Sequence, residues 1–133
     1  MNLQAFMLAD DEKNKVVEKV IKGRYKAPFK MKAITPKRDA ELKKECVKTK
    51  IGVKGKQEST FDAAKYQNLL IMESLVEPDL NNAELQNYYG VMGKEQLFEA
   101  MFNLGETTEL ALLAQEANGF EQDFDDLVEQ AKN

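Results

Sequence analysis

Residues 76–106, VEPDLNNAELQNYYGVMGKEQLFEAMFNLGE, decide the fold, because they read as a close succession of helix stops and starts. Pro78 ends the helix before it, since proline has no backbone N–H to donate and restricts the residue in front. Asn82 suits the N-cap of a short helix through Ala83, Glu84 and Leu85, its side-chain oxygen accepting from the first orphan N–H groups. Gly90 can close that helix in the left-handed conformation, with Val91 as the apolar residue beyond it. Gly93 opens the next helix, and Glu95 and Gln96 fall near its positive end.

Working outward, the capping pattern Ser59-Thr60-Phe61-Asp62 predicts a helix from about Phe61 to Glu77. Leu69, Leu70, Ile71 and Met72 are too many consecutive apolar residues for one stripe, which makes this the central helix, contacted on several sides. Downstream, one helix is expected through Leu97 and Phe102, another from Thr107 or Thr108 to about Ala117, and a last from about Phe124. Gly105 and Asn118-Gly119 are the expected breaks.

The first half reads differently. Val16, Val17, Val20 and Ile21 are β-branched and suit a strand, although their i, i+4 spacing also suits a helix. After Gly23 and Pro28, the run from Phe29 to Ile34 alternates, placing Phe29, Met31 and Ala33 on one face and the lysines on the other. The two segments predict a hairpin with a basic outer face. Thr35 can cap a helix that has Pro36 at its first position and a stripe of Leu42, Cys46 and Val47. Residues 51–56, IGVKGK, are either flexible or a small ribbon around Gly55. The expected class is α+β: a small N-terminal antiparallel sheet or hairpin, then a mainly helical C-terminal half.

A chain of 133 residues suits one domain, residues 1–133, with a real core. With 43% hydrophobic and 32% charged residues it belongs with globular rather than disordered chains. Its charge is divided. Residues 1–60 hold 16 Lys and Arg against 8 Asp and Glu, a net of +8; residues 61–133 hold 3 against 15, a net of −12. No apolar run approaches the roughly 20 residues that cross a bilayer. The start, Met1 to Phe6, lacks the basic n-region and long apolar core of a signal peptide, and Cys46 is the only cysteine. Both set the expectation of a cytoplasmic protein with no internal disulfide.

There is no histidine, so the commonest general base and metal ligand are missing, and a Cys/His zinc site cannot be assembled. No phosphate-binding glycine loop and no nucleophile with a visible base is present; an enzyme is not expected, nor is a cofactor or metal. Asp123, Asp125 and Asp126 lack the glycine and final glutamate of a calcium loop and more simply favour the start of the last helix; Asp10-Asp11-Glu12 is the other carboxylate group. Arg24, Lys26, Lys30 and Lys32, with Tyr25 among them, form a basic face that would suit phosphates, yet no DNA- or RNA-binding signature accompanies it. A solvated strand face accounts for the same lysines. The charge division also permits self-association, a basic sheet meeting the acidic helices of the next copy. Tyr88, Tyr89, Val91, Met92, Leu97, Met101, Phe102 and Leu104 crowd into residues 88–104, mostly as core, with some expected to form a groove for a partner helix. Leu3, Phe6 and Met7 either dock there or form a mobile arm.

DLNNAELQNYYGVMG (residues 79–93), followed by Leu97, Met101 and Phe102 and later by Asn118-Gly119-Phe120, resembles the tail assembly chaperones of PBSX-type prophages and their phage relatives, the XkdN-like proteins. Leu42-Lys43-Lys44-Glu45-Cys46 and Asp126-Leu127-Val128-Glu129 extend the likeness over most of the chain. The resemblance implies a non-enzymatic cytoplasmic protein of the bacterial host that binds the tape measure protein, a long and largely helical chain, and keeps it soluble until the tail tube polymerises. It implies absence from the mature virion; a structural tail component would instead be found there. Such chaperones are often made in two lengths by a −1 frameshift, and Ala131-Lys132-Asn133 can be encoded as the slippery GCA AAA AAY, which makes a frameshift-extended form of the chain an expected partner.

Overall fold

The computed structural model describes residues 1–120. Two antiparallel sheets and six α-helices make a mixed α+β architecture among these residues. A 3-10 turn, Leu3–Phe6, and a one-turn helix α1, Asp10–Lys13, precede the first hairpin, formed by β1 (Val16–Lys19) and β2 (Phe29–Lys32). The alternation holds as expected: Phe29 and Met31 are buried, while Lys30 and Lys32 point outward. Ala33 departs from it. The strand stops at Lys32, Ala33 is exposed, and half-buried Ile34 packs on the core instead.

Helix α2, Pro36–Glu45, starts as predicted, with the Thr35 hydroxyl oxygen accepting from the Arg38 N–H at 3.1 Å and Pro36 in the first turn. Leu42 and Cys46 are buried, but Val47 is exposed because it already belongs to the next strand. The segment around Gly55 is the turn of a ribbon longer than expected, β3 (Val47–Ile51) paired with β4 (Gln57–Phe61). Ser59, Thr60 and Phe61 therefore lie in a strand, and Asp62 alone caps the central helix α3, Ala63–Ser74, its carboxylate accepting from Lys65 N–H at 3.1 Å.

Helix α3 is shorter than predicted. It ends at Ser74, and Leu75–Glu77 form β5, which adds to β2 and completes a three-stranded sheet of order β1-β2-β5. The acidic half thus contributes a strand to the basic half's sheet. Leu75 alternates inward, half-buried, and Val76 outward, which the apolar run Leu69–Met72 upstream masks in the sequence.

Beyond Pro78 the punctuation reads true. Asn82 caps α4 (Ala83–Tyr89), Gly90 closes it at φ 68° and ψ 33°, and Gly93 at φ 96° precedes α5 (Lys94–Met101). Helix α6, Leu104–Ala117, starts three residues before Thr107 because Asn103 and Glu106 make a capping box. Gly105, expected as a break, lies inside its first turn. Asn118 and Gly119 do end it. The expected helix from Phe124, the carboxylates Asp123, Asp125 and Asp126, and the segments 126–129 and 131–133 lie outside the described residues.

Helix α6 packs against β1, β2 and α3, and α2 lies against α3. One cluster of buried side chains runs through both halves, from Ile21, Phe29 and Met31 to Leu70, Ile71, Leu97, Leu110 and Leu113. Asn118 buckles its end: its amide oxygen accepts from Ile34 N–H at 2.9 Å, and its NH₂ donates to Ser74 Oγ at 3.1 Å and Ala114 O at 2.8 Å. Buried Ser74 is thereby satisfied.

Candidate protein-docking surface

Helix α4 has seven residues, is capped at its ends by Asn82 and Gly90, and packs against α5. The Gln86 side chain ties both neighbours to it, donating to Leu80 O at 2.8 Å and accepting from Gly93 N–H at 3.1 Å. Because the helix is so short, only Leu85 and Tyr89 turn towards the core, and Tyr88 stands outward, 82% exposed. Two hollows result on either side of Pro78 and Leu85. One, of about 310 Å³, is lined by Tyr25, Ala27, Pro28, Phe29, Tyr89 and Met101. The other, of about 650 Å³, is lined by Val76, Asp79, Asn82, Glu84 and Tyr88. Glu77 borders both.

The smaller hollow has a fixed floor. Tyr25 meets Phe29 and Phe102 edge-on at 5.6 and 5.7 Å between centroids, and Phe98 meets Phe102 at 5.5 Å. The Tyr25 hydroxyl donates to Met101 O at 2.5 Å and lies 3.2 Å from the Tyr89 hydroxyl. Desolvation first, then the Tyr89 hydrogen bond, raises the Tyr25 pKa well above its usual value, so the phenol stays protonated. Behind the floor, the Arg24 guanidinium grips Glu106 and donates to Met101 O at 2.8 Å. Glu106 is 3% exposed, accepts from Asn103 N–H at 2.9 Å, and has its carboxyl held below the usual range, chiefly by Arg24.

These positions sort the expected docking residues. Tyr88 and Met92 are exposed, Tyr89 and Val91 half-buried, and Leu97, Met101 and Phe102 are core, Leu97 with no exposed surface at all. Met101 and Tyr89 reach the smaller hollow only as its floor. Leu97 and Phe102 belong to the common core because α5, and the α6 that follows the turn at residues 102–103, both pack against α3. Sequence spacing does not reveal that shared packing. Leu3, Phe6 and Met7 are exposed.

The expected basic face is broken up. Arg24 turns to Glu106, and Lys30 pairs with Glu77 of β5 at 3.1 Å, leaving only Lys26 and Lys32 of the four outside ion pairs among the described residues. Both losses go to carboxylates of the acidic half, Glu106 in α6 and Glu77 in β5. Arg38 pairs with Glu73 at 2.6 Å, which joins α2 to α3 and holds the Glu73 carboxyl low. Tyr66 donates to Asp39 nearby, and desolvation with that bond pushes its phenol up to about 12. Cys46 is buried and its thiol raised by desolvation. Among the described residues no group of three or more His, Cys, Asp or Glu could hold a metal, and no helix is long and apolar enough to cross a membrane.

Fold and surface together define a small α+β protein whose outward features are apolar hollows and an exposed ribbon. The chain belongs to the phage XkdN-like tail assembly chaperone protein family, whose model matches residues 3–132. That family is not enzymatic. The PBSX phage-like element protein XkdN of Bacillus subtilis strain 168 is 33% identical over 108 residues, spanning 80% of this chain and 72% of the relative. The uncharacterised protein YqbN of the same strain matches with the same identity and coverage. The crystal structure of the protein YqbN superposes with a TM-score of 0.62 at 25% identity, covering 90% of this chain and 98% of that one. The resemblance read from residues 79–93 and their companions is therefore correct.

Proposed function

We propose that this chaperone acts, as one domain, on the tape measure protein of its phage or prophage, covering apolar stretches of that long chain in the host cytoplasm and leaving before the virion is complete. Membership of the tail assembly chaperone family carries the proposal. The hollow between Pro28, Pro78 and Tyr89 adds a surface suited to it: apolar, shallow, and backed by a rigid aromatic floor. Such a site takes one or two client side chains and releases them readily, which suits repeated weak contacts along a client better than one tight site. The Tyr25 hydroxyl, bonded to Met101 O, and the Tyr89 hydroxyl beside it add polar points at its floor.

The test is co-expression with the tape measure protein of the same phage, then size-exclusion chromatography with light scattering. A soluble complex with several copies per client is the expected result. Ala27→Glu, which places a charge at the hollow's mouth from an exposed position, should return the client to the pellet while the chaperone itself stays folded. A client that is insoluble with the wild-type chain, also when any frameshift-extended form is supplied, overturns the reading.

A further inference from the structure

The β3–β4 ribbon presents a face that nothing among the described residues covers. Its register sets Val47 opposite Phe61, Thr49 opposite Ser59 and Ile51 opposite Gln57, so these six share one face, while Lys48 and Lys50 lie on the other. All ten strand residues are exposed, and Ile51 and Val53 at the tip are 77% and 85% exposed. A two-stranded ribbon with neither face covered is marginal in water and gains by acquiring a cover. The face itself is uncharged, but its surroundings are basic. Residues 47–61 carry four lysines and one glutamate; Lys48 is held by Asp62 at 3.4 Å, and Lys50, Lys54 and Lys56 take part in no ion pair among the described residues.

The described residues end beside this face. Gln115 O accepts from Phe120 N–H at 2.8 Å, which fixes where the chain leaves α6. Phe120 stands at a hollow of about 250 Å³ that Ile34, Pro36, Lys43, Tyr66 and Leu70 also line. The Tyr66 ring, held by its hydrogen bond to Asp39, meets the Phe61 ring at 5.8 Å between centroids. An apolar track therefore leads from Phe120 across Tyr66 to Phe61 at the root of the ribbon, and on to Val47 and Ile51.

The remaining sequence, EQDFDDLVEQAKN (residues 121–133), matches that track. Phe124, Leu127, Val128 and Ala131 fall at i, i+3, i+4 and i+7, the stripe of an amphipathic helix. Glu121, Asp123, Asp125, Asp126 and Glu129 against Lys132 give it a net charge of −4, opposite to the +3 of residues 47–61. As a helix, thirteen residues reach about 20 Å at roughly 1.5 Å each, and the five residues of a ribbon strand reach about 17 Å at roughly 3.3 Å each. The two lengths agree.

We propose that residues 121–133 fold back as a helix on their own molecule and cover the ribbon. Phe124 follows Phe120 onto the Tyr66–Phe61 contact, Leu127, Val128 and Ala131 lie on the Val47–Ile51 face, and the carboxylates turn to Lys50, Lys54 and Lys56. The contact needs neither a client nor a second copy. It shares no residue with the lining of the Tyr25–Tyr89 hollow, which stays open to a client while the ribbon is covered.

Hydrogen-exchange mass spectrometry on the full chain tests it, with two variants, Ile51→Asp on the ribbon and Leu127→Asp in the segment. In wild type, residues 47–61 and 121–133 should both exchange more slowly than the same sequences as free peptides. High salt should lessen that protection, because facing charges are screened beyond about 8–10 Å. Ile51→Asp should bring residues 121–133 to the free-peptide rate, and Leu127→Asp should speed exchange in residues 47–61, while α3 and α6 keep their wild-type protection in both. Dilution of the protein should change neither segment. A segment 121–133 that already exchanges freely in wild type, or that is indifferent to Ile51→Asp, overturns the proposal, as does a ribbon indifferent to Leu127→Asp. So does protection that grows with protein concentration, which would make the cover a second copy, or that arises only when the tape measure protein is added, which would make it the client.

Discussion

Leu97→Ala separates the two roles that the cluster at residues 88–104 admits. Leu97 sits in the middle of α5, shares its buried face with Phe98 and Met101, and has no exposed surface. The substitution removes three carbons, which at about 0.8 kcal/mol each is about 2.4 kcal/mol of transfer free energy. The hole left behind raises the cost to roughly 3–4 kcal/mol, since neighbours as interlocked as Leu110 and Phe102 collapse only in part. For a chain of this length that is a fall of roughly 10–15 °C in Tm. Urea unfolding followed by far-ultraviolet dichroism, with calorimetry for Tm, measures it. Met92→Ala, at a position 83% exposed, is the control and should change stability by less than about 0.5 kcal/mol. If Leu97→Ala costs under about 1 kcal/mol while lowering client binding, Leu97 is a contact residue and the packing argument fails.

Acid should destabilise the protein in a defined window. The Glu106 and Glu73 carboxyls are held below their ordinary value of 4.5, chiefly by Arg24 and Arg38, so their contribution is complete above about pH 4.5 and is lost as pH falls through the lower folded values. Glu106→Gln should be less stable at pH 7 and lose less of its urea midpoint between pH 5 and pH 3 than wild type; parallel acid slopes would refute the assignment. Asn103→Ala opens the α6 capping box and should cost about 1 kcal/mol in urea unfolding, whereas no measurable loss would mean the turn is held by Glu106 alone. Cys46, buried with a raised thiol pKa, should react with a disulfide reagent orders of magnitude more slowly in the native chain than in urea, and equal rates would show it is accessible.

Local signals were legible where one residue's chemistry acts on its immediate neighbours. Asn82, Gly90 and Gly93 bounded α4 and α5, and Thr35-Pro36 opened α2, because a cap or a left-handed turn is a matter of a few backbone groups. Asn103 and Glu106 stand at the right spacing for the α6 box, but Gly105 between them reads locally as a break and obscures it. Strand β5 was missed because Leu75, Val76 and Glu77 continue an apolar helix without punctuation, and only pairing with β2 turns them extended.

From its own residues the sequence determined the class: α+β, an alternating hairpin, short capped helices, a divided charge, and the resemblance that the family match supports. Tertiary structure alone decided which of the crowded apolar residues face solvent and where the charges are neutralised. Both depend on groups far apart in the chain, such as Arg24 with Glu106, Lys30 with Glu77 and Tyr25 with Phe102, and such partners leave no periodic trace in a single sequence.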